Sequence, residues 1–197
     1  MKNILVIGAG RSSQILIRYL LDHSVLYNWK VIVADYSLDV AEKAVSNHKN
    51  GTPIFFNVLD DKQRKSQIAN SDIVISMLPA SMHIIVAEEC ISLGKNLVTA
   101  SYVSEQISNL DKAAIDAGVL LLNEIGLDPG IDHMSAMKII EEIKEEGSDL
   151  YSFKSYCGGL VHPNFDNNPW NYKFTWNPRN VVLAGQGTAR YIDSDIY

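Results

Sequence analysis

The feature that most limits the fold of this chain is a glycine turn between an apolar run and an amphipathic stretch. Residues 4–7 are all apolar, as in a strand that is buried on both faces of a parallel sheet. Gly8 and Gly10 follow, and apolar residues then recur at helical spacing from Ile15 to Leu20. This order of strand, turn and helix predicts a dinucleotide-binding fingerprint, in which the first glycine permits the tight turn and the second lets the backbone approach a pyrophosphate.

The start of the following helix extends this predicted site. Backbone amides there would meet the phosphate charge, so Arg11, Ser12 and Ser13 join the two glycines as predicted cofactor-binding residues. Ser13 stands where a third glycine or alanine is usual, and it is small enough for close packing of helix on strand. A tight turn without a ligand is the alternative interpretation of the two glycines taken alone.

An acidic residue at the end of the second apolar run indicates which dinucleotide binds. Residues 31–34 are apolar and Asp35 follows them, with Tyr36 as a further predicted cofactor contact. An acid at this place accepts hydrogen bonds from an adenosine ribose and repels a 2′-phosphate, so the sequence favours NAD over NADP. Asp35 could instead cap the next helix, a role that Ser37 or Asp39 could also fill.

Apolar runs and amphipathic stretches alternate over most of the chain. Further strands are predicted over 53–58, 73–76, 96–99 and 119–123, and helices over 39–47, 62–69, 82–93, 105–117 and 134–146. Six strands that alternate with helices predict an α/β fold with a Rossmann-type doubly wound parallel sheet, in the order 3-2-1-4-5-6. Because parallel strands end at the same edge, one crevice should be lined by the strand exits at Gly8, Asp35, Asp60, Leu78, Ser101 and Asp128.

Several residues at these strand exits are candidates for the site. Asp60 could accept a hydrogen bond from the adenine amino group or cap the helix that follows it. Leu78 and Pro79 would flank the nicotinamide, and Thr99 is a further predicted cofactor contact. His83 is interpreted as a surface or capping residue rather than a catalytic base. A small core residue is the expected role of Cys90.

Composition and charge exclude several classes of protein. With 47% hydrophobic and 20% charged residues, the chain can bury a sizeable core, and its net charge of −6 without a basic cluster argues against a nucleic-acid partner. No apolar run approaches the length of a membrane span, and the sequence begins directly on a strand, so neither a membrane segment nor a leader is expected. The two cysteines fit a reducing cytoplasm, and the scattered histidines predict no metal site.

The last part of the chain changes character. Residues 153–157 and 172–176 alternate like half-exposed strands, with a loop-like stretch between them. We therefore expect a dinucleotide-binding domain over 1–130, and over 131–197 a connecting helix and the start of an incomplete α+β substrate domain. An interrupted domain exposes apolar faces, so self-association as a homo-oligomer through the C-terminal segment is expected.

The stretch Glu124–His133 resembles the saccharopine dehydrogenase family, specifically its glutamate-forming branch. Residues 99–104, 155–160 and 168–176 agree with the same family, and together these stretches are far more specific than the glycine turn. The family has a dinucleotide domain and a substrate domain with a closing segment that returns to the first. Nothing here matches the later portion, so the resemblance covers the N-terminal half and implies a truncated form.

The resemblance implies oxidation of the CH–NH group of saccharopine by NAD(P), which yields L-glutamate and 2-aminoadipate 6-semialdehyde in lysine metabolism. It implies catalytic roles for Asp128, Tyr102 and Cys157, with Asp128 also near the cofactor, and substrate contacts for Ser101, Tyr102 and Arg179. The residues alone leave simpler roles open, since Asp128 could cap the helix that Pro129 helps to begin, and Arg179 could be a solvated surface residue.

Two other functions remain open at this point. A carboxynorspermidine-type dehydrogenase would keep the fold and the cofactor but change the substrate pocket. A nucleotide-binding fragment without catalysis of its own is the alternative from a different class, because substrate-domain residues of the family have no counterpart here. For the chain as given, we expect dinucleotide binding with weak or no turnover.

Overall fold

The computed structural model describes residues 1–156, 161–173 and 182. The chain divides into two compact units, residues 1–155 and 156–197. The first unit contains the sheet and its helices, including the helix that follows residue 130. In the second unit, the described residues include a 3₁₀ turn at Pro163–Phe165. The predicted domain division at residue 130 stays a prediction.

A six-stranded parallel sheet forms the centre of the first unit. Its order is β3-β2-β1-β4-β5-β6, as predicted. The strands are β1 (Lys2–Ile7), β2 (Trp29–Asp35), β3 (Gly51–Phe55), β4 (Ile73–Ser76), β5 (Asn96–Thr99) and β6 (Leu121–Leu122). The chain crosses from β3 at one edge to β4 beside β1, and this reversal of strand order is where ligands bind in doubly wound sheets.

Helices connect these strands as the amphipathic stretches predict. They are α1 (Gln14–His23), α2 (Leu38–Val45), α3 (Asp61–Ala69), α4 (His83–Ser92), α5 (Glu105–Ser108), α6 (Asp111–Ala117) and α7 (Ile131–Glu145). The single helix predicted over 105–117 is wrong, because the chain turns at Asn109 and Leu110 between α5 and α6. Asn109 is a poor helix former, which fits a break at this position.

The limits of β3 differ from the apolar run that predicts it. The run covers 53–58, but the strand ends at Phe55 because its partner β2 ends at Asp35. Beyond it, the Asn57 side-chain oxygen accepts a hydrogen bond from the Leu59 amide at 3.1 Å, which bends the chain away from the sheet. Strand length is thus set by the neighbouring strand rather than by the local pattern.

The predicted C-terminal strands are not seen in the described residues. Residues 153–156 have no strand structure, so the strand predicted over 153–157 is wrong for these four described residues. Residues 172 and 173 also lie outside any strand, and 174–176 fall outside the described residues. Trp170 is 84% exposed, but self-association through this segment stays a prediction. No helix within the described ranges is long and apolar enough to cross a membrane.

The core lies on both faces of the sheet. Along β1, Ile4 and Val6 pack into one apolar cluster, and Leu5 and Ile7 pack into the other. A central parallel strand that is buried on both faces needs apolar residues at every position, which explains the unbroken run. Cys90 is buried in the second of these clusters as predicted, and burial raises the pKa of its thiol to about 12.

We expect Leu5→Ala to reduce the free energy of unfolding by about 3 kcal/mol, because the Leu5 side chain is 1% exposed and its loss leaves a cavity under the sheet. The matched control is Ile15→Ala on α1, whose side chain is 80% exposed and which should change stability by less than about 0.5 kcal/mol. Urea denaturation followed by circular dichroism measures both. Equal losses in the two variants would contradict the assignment of Leu5 to the core.

Candidate nucleotide-binding site

The glycine turn at the end of β1 is held by close contact with β4. Gly8 has φ +100°, and a Cβ atom at this position would lie 2.8 Å from the carbonyl oxygen of Met77. The Gly8 amide also donates to the carbonyl of Ala34 at 2.8 Å. Both the backbone angle and the lack of space therefore require glycine. A Cβ at Gly10, in contrast, would meet no atom within 4 Å, so its exposed backbone is open to a ligand.

Asp35 ties the end of β2 to this turn. One carboxylate oxygen accepts a hydrogen bond from the Ala9 amide at 2.7 Å, and the other accepts one from the Ser37 amide at 2.9 Å. The alternative that Asp35 caps α2 is wrong, because Ser37 occupies the N-cap position of that helix. The Asp35 carboxylate instead holds the backbone amides of Ala9 and Ser37 in place.

The residues after Gly10 form a 3₁₀ turn that leads into α1. Ser13 is buried and its hydroxyl donates to the carbonyl of Gly10 at 2.9 Å, so it shapes the turn from within. Arg11 and Ser12 are exposed on the same turn. Among the described residues Arg11 makes no ion pair, and its guanidinium is therefore available to an anionic ligand.

A cleft of about 500 Å³ lies at the carboxyl edge of the sheet. The ends of β1, β2 and β4 and the loop after β3 all contribute to it, so the cleft brings together parts of the chain that are distant in sequence. Its lining includes the predicted cofactor-binding residues Gly8, Asp35, Tyr36, Leu78 and Pro79. Of the six strand exits predicted to line one crevice, the cleft brings together those at Gly8, Asp35 and Leu78, whereas Asp60, Ser101 and Asp128 do not line it.

Asp60 stabilises the loop before α3 and does not line the cleft. Its Oδ1 accepts hydrogen bonds from the amides of Lys62 and Gln63 at 3.0 and 3.1 Å, which makes it the N-cap of α3. It does not appear among the residues that line the cleft. Nearby, Arg64 donates to the carbonyl of Val58 at 2.8 Å and lies 3.5 Å from Glu89 on α4. These contacts hold the loop that forms one wall of the cleft.

The interpretation of His83 as a surface or capping residue is wrong. Its side chain is 3% exposed and lies between the ends of β4 and β5. Nδ1 lies 2.9 Å from the Ser76 hydroxyl, and Nε2 lies 2.8 Å from the Ser101 hydroxyl and 3.3 Å from that of Thr99. The spacing of residues in the sequence does not indicate that His83 is buried. The one signal is that the apolar strands β4 and β5 end in polar residues, Ser76 and Thr99.

Tyr102 and Asp128 meet at the exits of β5 and β6. The Tyr102 hydroxyl donates to Asp128 at 3.2 Å. Loss of solvation, together with the charge of Asp128 and this hydrogen bond, raises the pKa of Tyr102, so the phenol keeps its proton at neutral pH. Asp128 does not cap α7, because the N-cap residue is Gly130 and its amide is bound by Asp132.

Two of the predicted site residues cannot be placed. Cys157 and Arg179 lie outside the described residues, so their catalytic and substrate-binding roles stay predictions. Within the described part of the chain, no group of three His, Cys, Asp or Glu side chains is arranged to hold a metal ion.

We expect the stability of the protein to fall as the pH is lowered from 7.5 to 5.5, in part because of His83. Burial lowers the pKa of His83 below its ordinary value of 6.5, so the neutral form is favoured by folding. The stabilisation is fully present above pH 6.5 and is lost below it, with a slope of at most about 1.4 kcal/mol per pH unit for one proton. In His83→Gln this component is absent, so the difference in unfolding free energy between the two proteins should shift with pH. A constant difference across this range, measured by urea denaturation, would contradict the assignment.

Curated relatives match nearly the whole of this chain. The saccharopine dehydrogenase [NADP(+), L-glutamate-forming] of Pyricularia oryzae is 41% identical over 190 residues, which cover 96% of this chain and 41% of the relative. The alpha-aminoadipic semialdehyde synthase of Arabidopsis thaliana is 45% identical over 161 residues, 82% of this chain and 15% of the relative. The chain thus spans less than half the length of these relatives.

A solved structure agrees with this fold. The apo histidine-tagged saccharopine dehydrogenase (L-Glu forming) from Saccharomyces cerevisiae superposes with a TM-score of 0.84 and 38% sequence identity. The match covers 93% of this chain and 40% of the yeast chain. The Rossmann-type arrangement predicted from the sequence is therefore confirmed.

The descriptions of these matches disagree with the expected preference for NAD. The matching family model is described as an NADP binding domain, and the fungal relatives carry NADP(+) in their names. The expectation of NAD rested on Asp35, and each carboxylate oxygen of this residue accepts a hydrogen bond from a backbone amide, of Ala9 and of Ser37.

Two family models cover almost the entire chain. The saccharopine dehydrogenase NADP binding domain matches residues 4–122, and the saccharopine dehydrogenase C-terminal domain matches residues 126–195. The motifs at the strand exits lie within these two ranges, as does the turn at Gly8. The chain belongs to the saccharopine dehydrogenase family.

Proposed function

We propose that this chain binds NADP(H) and provides the cofactor-binding part of an oxidoreductase that acts on saccharopine. The observation that carries the proposal is the cleft at the switch point of the sheet, where the Gly8 turn, Asp35, Leu78 and Pro79 converge. The family membership and the names of the relatives support the substrate class.

The residues around the turn fit a dinucleotide with a 2′-phosphate. The open backbone at Gly10 and the amides at the start of α1 can receive the pyrophosphate. Arg11 is an exposed cation beside them, and the two amide donors bound to Asp35 offset the negative charge that would repel a phosphate.

The proposed reaction is the oxidation of saccharopine to L-glutamate and 2-aminoadipate 6-semialdehyde. NADP⁺, when bound, accepts a hydride from the substrate carbon beside the secondary amine. The substrate imine that results adds water, and its carbinolamine collapses to aldehyde and amine. These steps need proton transfer beside the reacting carbon, and the hydrogen bond between Tyr102 and Asp128 at the exits of β5 and β6 supports this pair as the group that holds the proton.

We expect Gly8→Ala to abolish NADPH binding, because its Cβ would lie 2.8 Å from the Met77 carbonyl and would push the turn out of place. The matched control is Gly94→Ala, since Gly94 also has a positive φ but has open space around it. Calorimetric titration of both variants and the wild type with NADPH and NADH measures the effect. Wild-type affinity should be greater for NADPH, and an equal or greater affinity for NADH would overturn the choice of cofactor.

We further propose that the chain alone binds NADP⁺ but turns saccharopine over slowly or not at all. The matched part covers 41% of the Pyricularia enzyme, so the rest of that relative has no counterpart in the sequence given. The test is the rise in NADPH absorbance with saccharopine and NADP⁺, compared with the same concentration of the yeast enzyme. A rate equal to that of the yeast enzyme would refute this proposal while leaving the cofactor assignment intact.

A further inference from the structure

A buried imidazole joins the ends of two neighbouring strands beside the predicted nicotinamide position. His83 is the first residue of α4, and its ring lies between Ser76 at the end of β4 and Thr99 at the end of β5. Ser76 and Thr99 are buried, whereas Ser101 is half-buried and borders the open edge of the sheet. The network therefore runs from the interior to the surface at which the strands end.

Packing alone does not account for this group of side chains. A buried polar ring is costly to desolvate, and an apolar side chain would fill the same space without that cost. Both ring nitrogens have hydroxyl partners, so the ring is fully satisfied and holds one orientation. A buried network in which every polar group is hydrogen-bonded fixes the geometry of its members more than it adds stability. This indicates that the position of one of the hydroxyl groups bound to His83 matters.

The partner that matters is Ser101, because it is the member of the network that reaches the open edge of the sheet. Its hydroxyl lies 2.8 Å from His83 Nε2, and its amide donates to the Thr99 hydroxyl at 3.3 Å. The side chain and the backbone of Ser101 are thus both anchored. In doubly wound sheets the exits of the strands beyond the switch point, here β4 and β5, flank the nicotinamide half of the crevice.

We propose that His83 is a positioning residue for the nicotinamide half of the cofactor, and that it acts through the hydroxyl of Ser101. The proposal rests on the proposed function, since it presupposes that the cleft binds NADP(H). A neutral imidazole with both nitrogens hydrogen-bonded donates one hydrogen bond and accepts one. The ring therefore sets the position of the Ser101 hydroxyl and determines whether that hydroxyl donates or accepts in the bond to Nε2.

Two conservative variants test the hydrogen bonds at the two ring nitrogens separately. The amide of Gln reaches about as far as Nε2, so His83→Gln can keep the bond to Ser101. The shorter Asn reaches about as far as Nδ1, so His83→Asn can keep the bond to Ser76 but loses the one to Ser101. Asn also fills less of the buried space than Gln, so a role in packing predicts a greater loss for Asn as well. The comparison of two probes and the double-mutant cycle separate the two roles.

The experiment compares two probes by titration of the full chain. NADPH occupies both halves of the cleft, whereas 2′,5′-ADP occupies the adenosine half alone. We expect His83→Asn to weaken NADPH binding by about fivefold and to leave 2′,5′-ADP binding unchanged, and His83→Gln to restore the wild-type affinity for NADPH. Ser92→Ala at the opposite end of α4 is the control and should change neither affinity.

A double-mutant cycle tests whether His83 acts through Ser101. Ser101→Ala should weaken NADPH binding by a similar factor, and His83→Asn should have no further effect in that background. Additive effects, an equal loss for both probes, or the same affinity in the Asn and Gln variants would overturn the inference. A wild-type chain that binds 2′,5′-ADP but no NADPH would also overturn it. Failure to bind either probe would instead refute the proposed function, and the inference with it.

Discussion

The arrangement of the site depends on how closely β1 approaches the exit of β4. At Gly8 there is no space for a side chain, since the carbonyl oxygen of Met77 lies only 2.8 Å from the position of a Cβ. This contact brings the turn after β1 against the start of the loop that contains Leu78 and Pro79. Two further parts of the site are placed relative to this turn, because Asp35 binds Ala9 within it and the 3₁₀ turn that leads into α1 follows it.

The sequence predicts the sheet well because buried parallel strands leave a simple pattern. Each of the central strands has apolar residues on both faces, and the glycine turn, the helices and the order of elements then restrict the topology to one known arrangement. The limits of elements are less predictable, since they depend on partners that are distant in the sequence. β3 illustrates this, because it ends where β2 ends although its own apolar residues continue.

The same reasoning explains why parts of the site were predictable and others were not. Gly8 and Asp35 could be identified because they occupy fixed places in a strand–turn–helix pattern. The direction of the Asp35 carboxylate could not, since it depends on which amide donors surround it. The contacts of His83 were likewise hidden, because its partners come from two segments, the end of β4 and the end and exit of β5, that only the folded sheet brings to the ring. Spacing identifies residues near a crevice, but hydrogen-bond geometry decides what their side chains do.

Asp35, which lines the cleft, and His83, which is buried at the ends of β4 and β5, differ in charge, and the difference suits the proposed cofactor. Asp35 is an anion whose two amide donors offset its charge, so its presence beside the phosphate-bearing half is tolerable. Near the proposed nicotinamide position, the polar group is the imidazole of His83, whose pKa is lowered by burial, so it is neutral at pH 7. The oxidised nicotinamide ring carries a positive charge, so a protonated histidine behind its proposed position would oppose binding. In the proposed complex, burial of His83 therefore does more than fix an orientation, because it also keeps the imidazole uncharged beside a cofactor ring whose charge changes in the reaction.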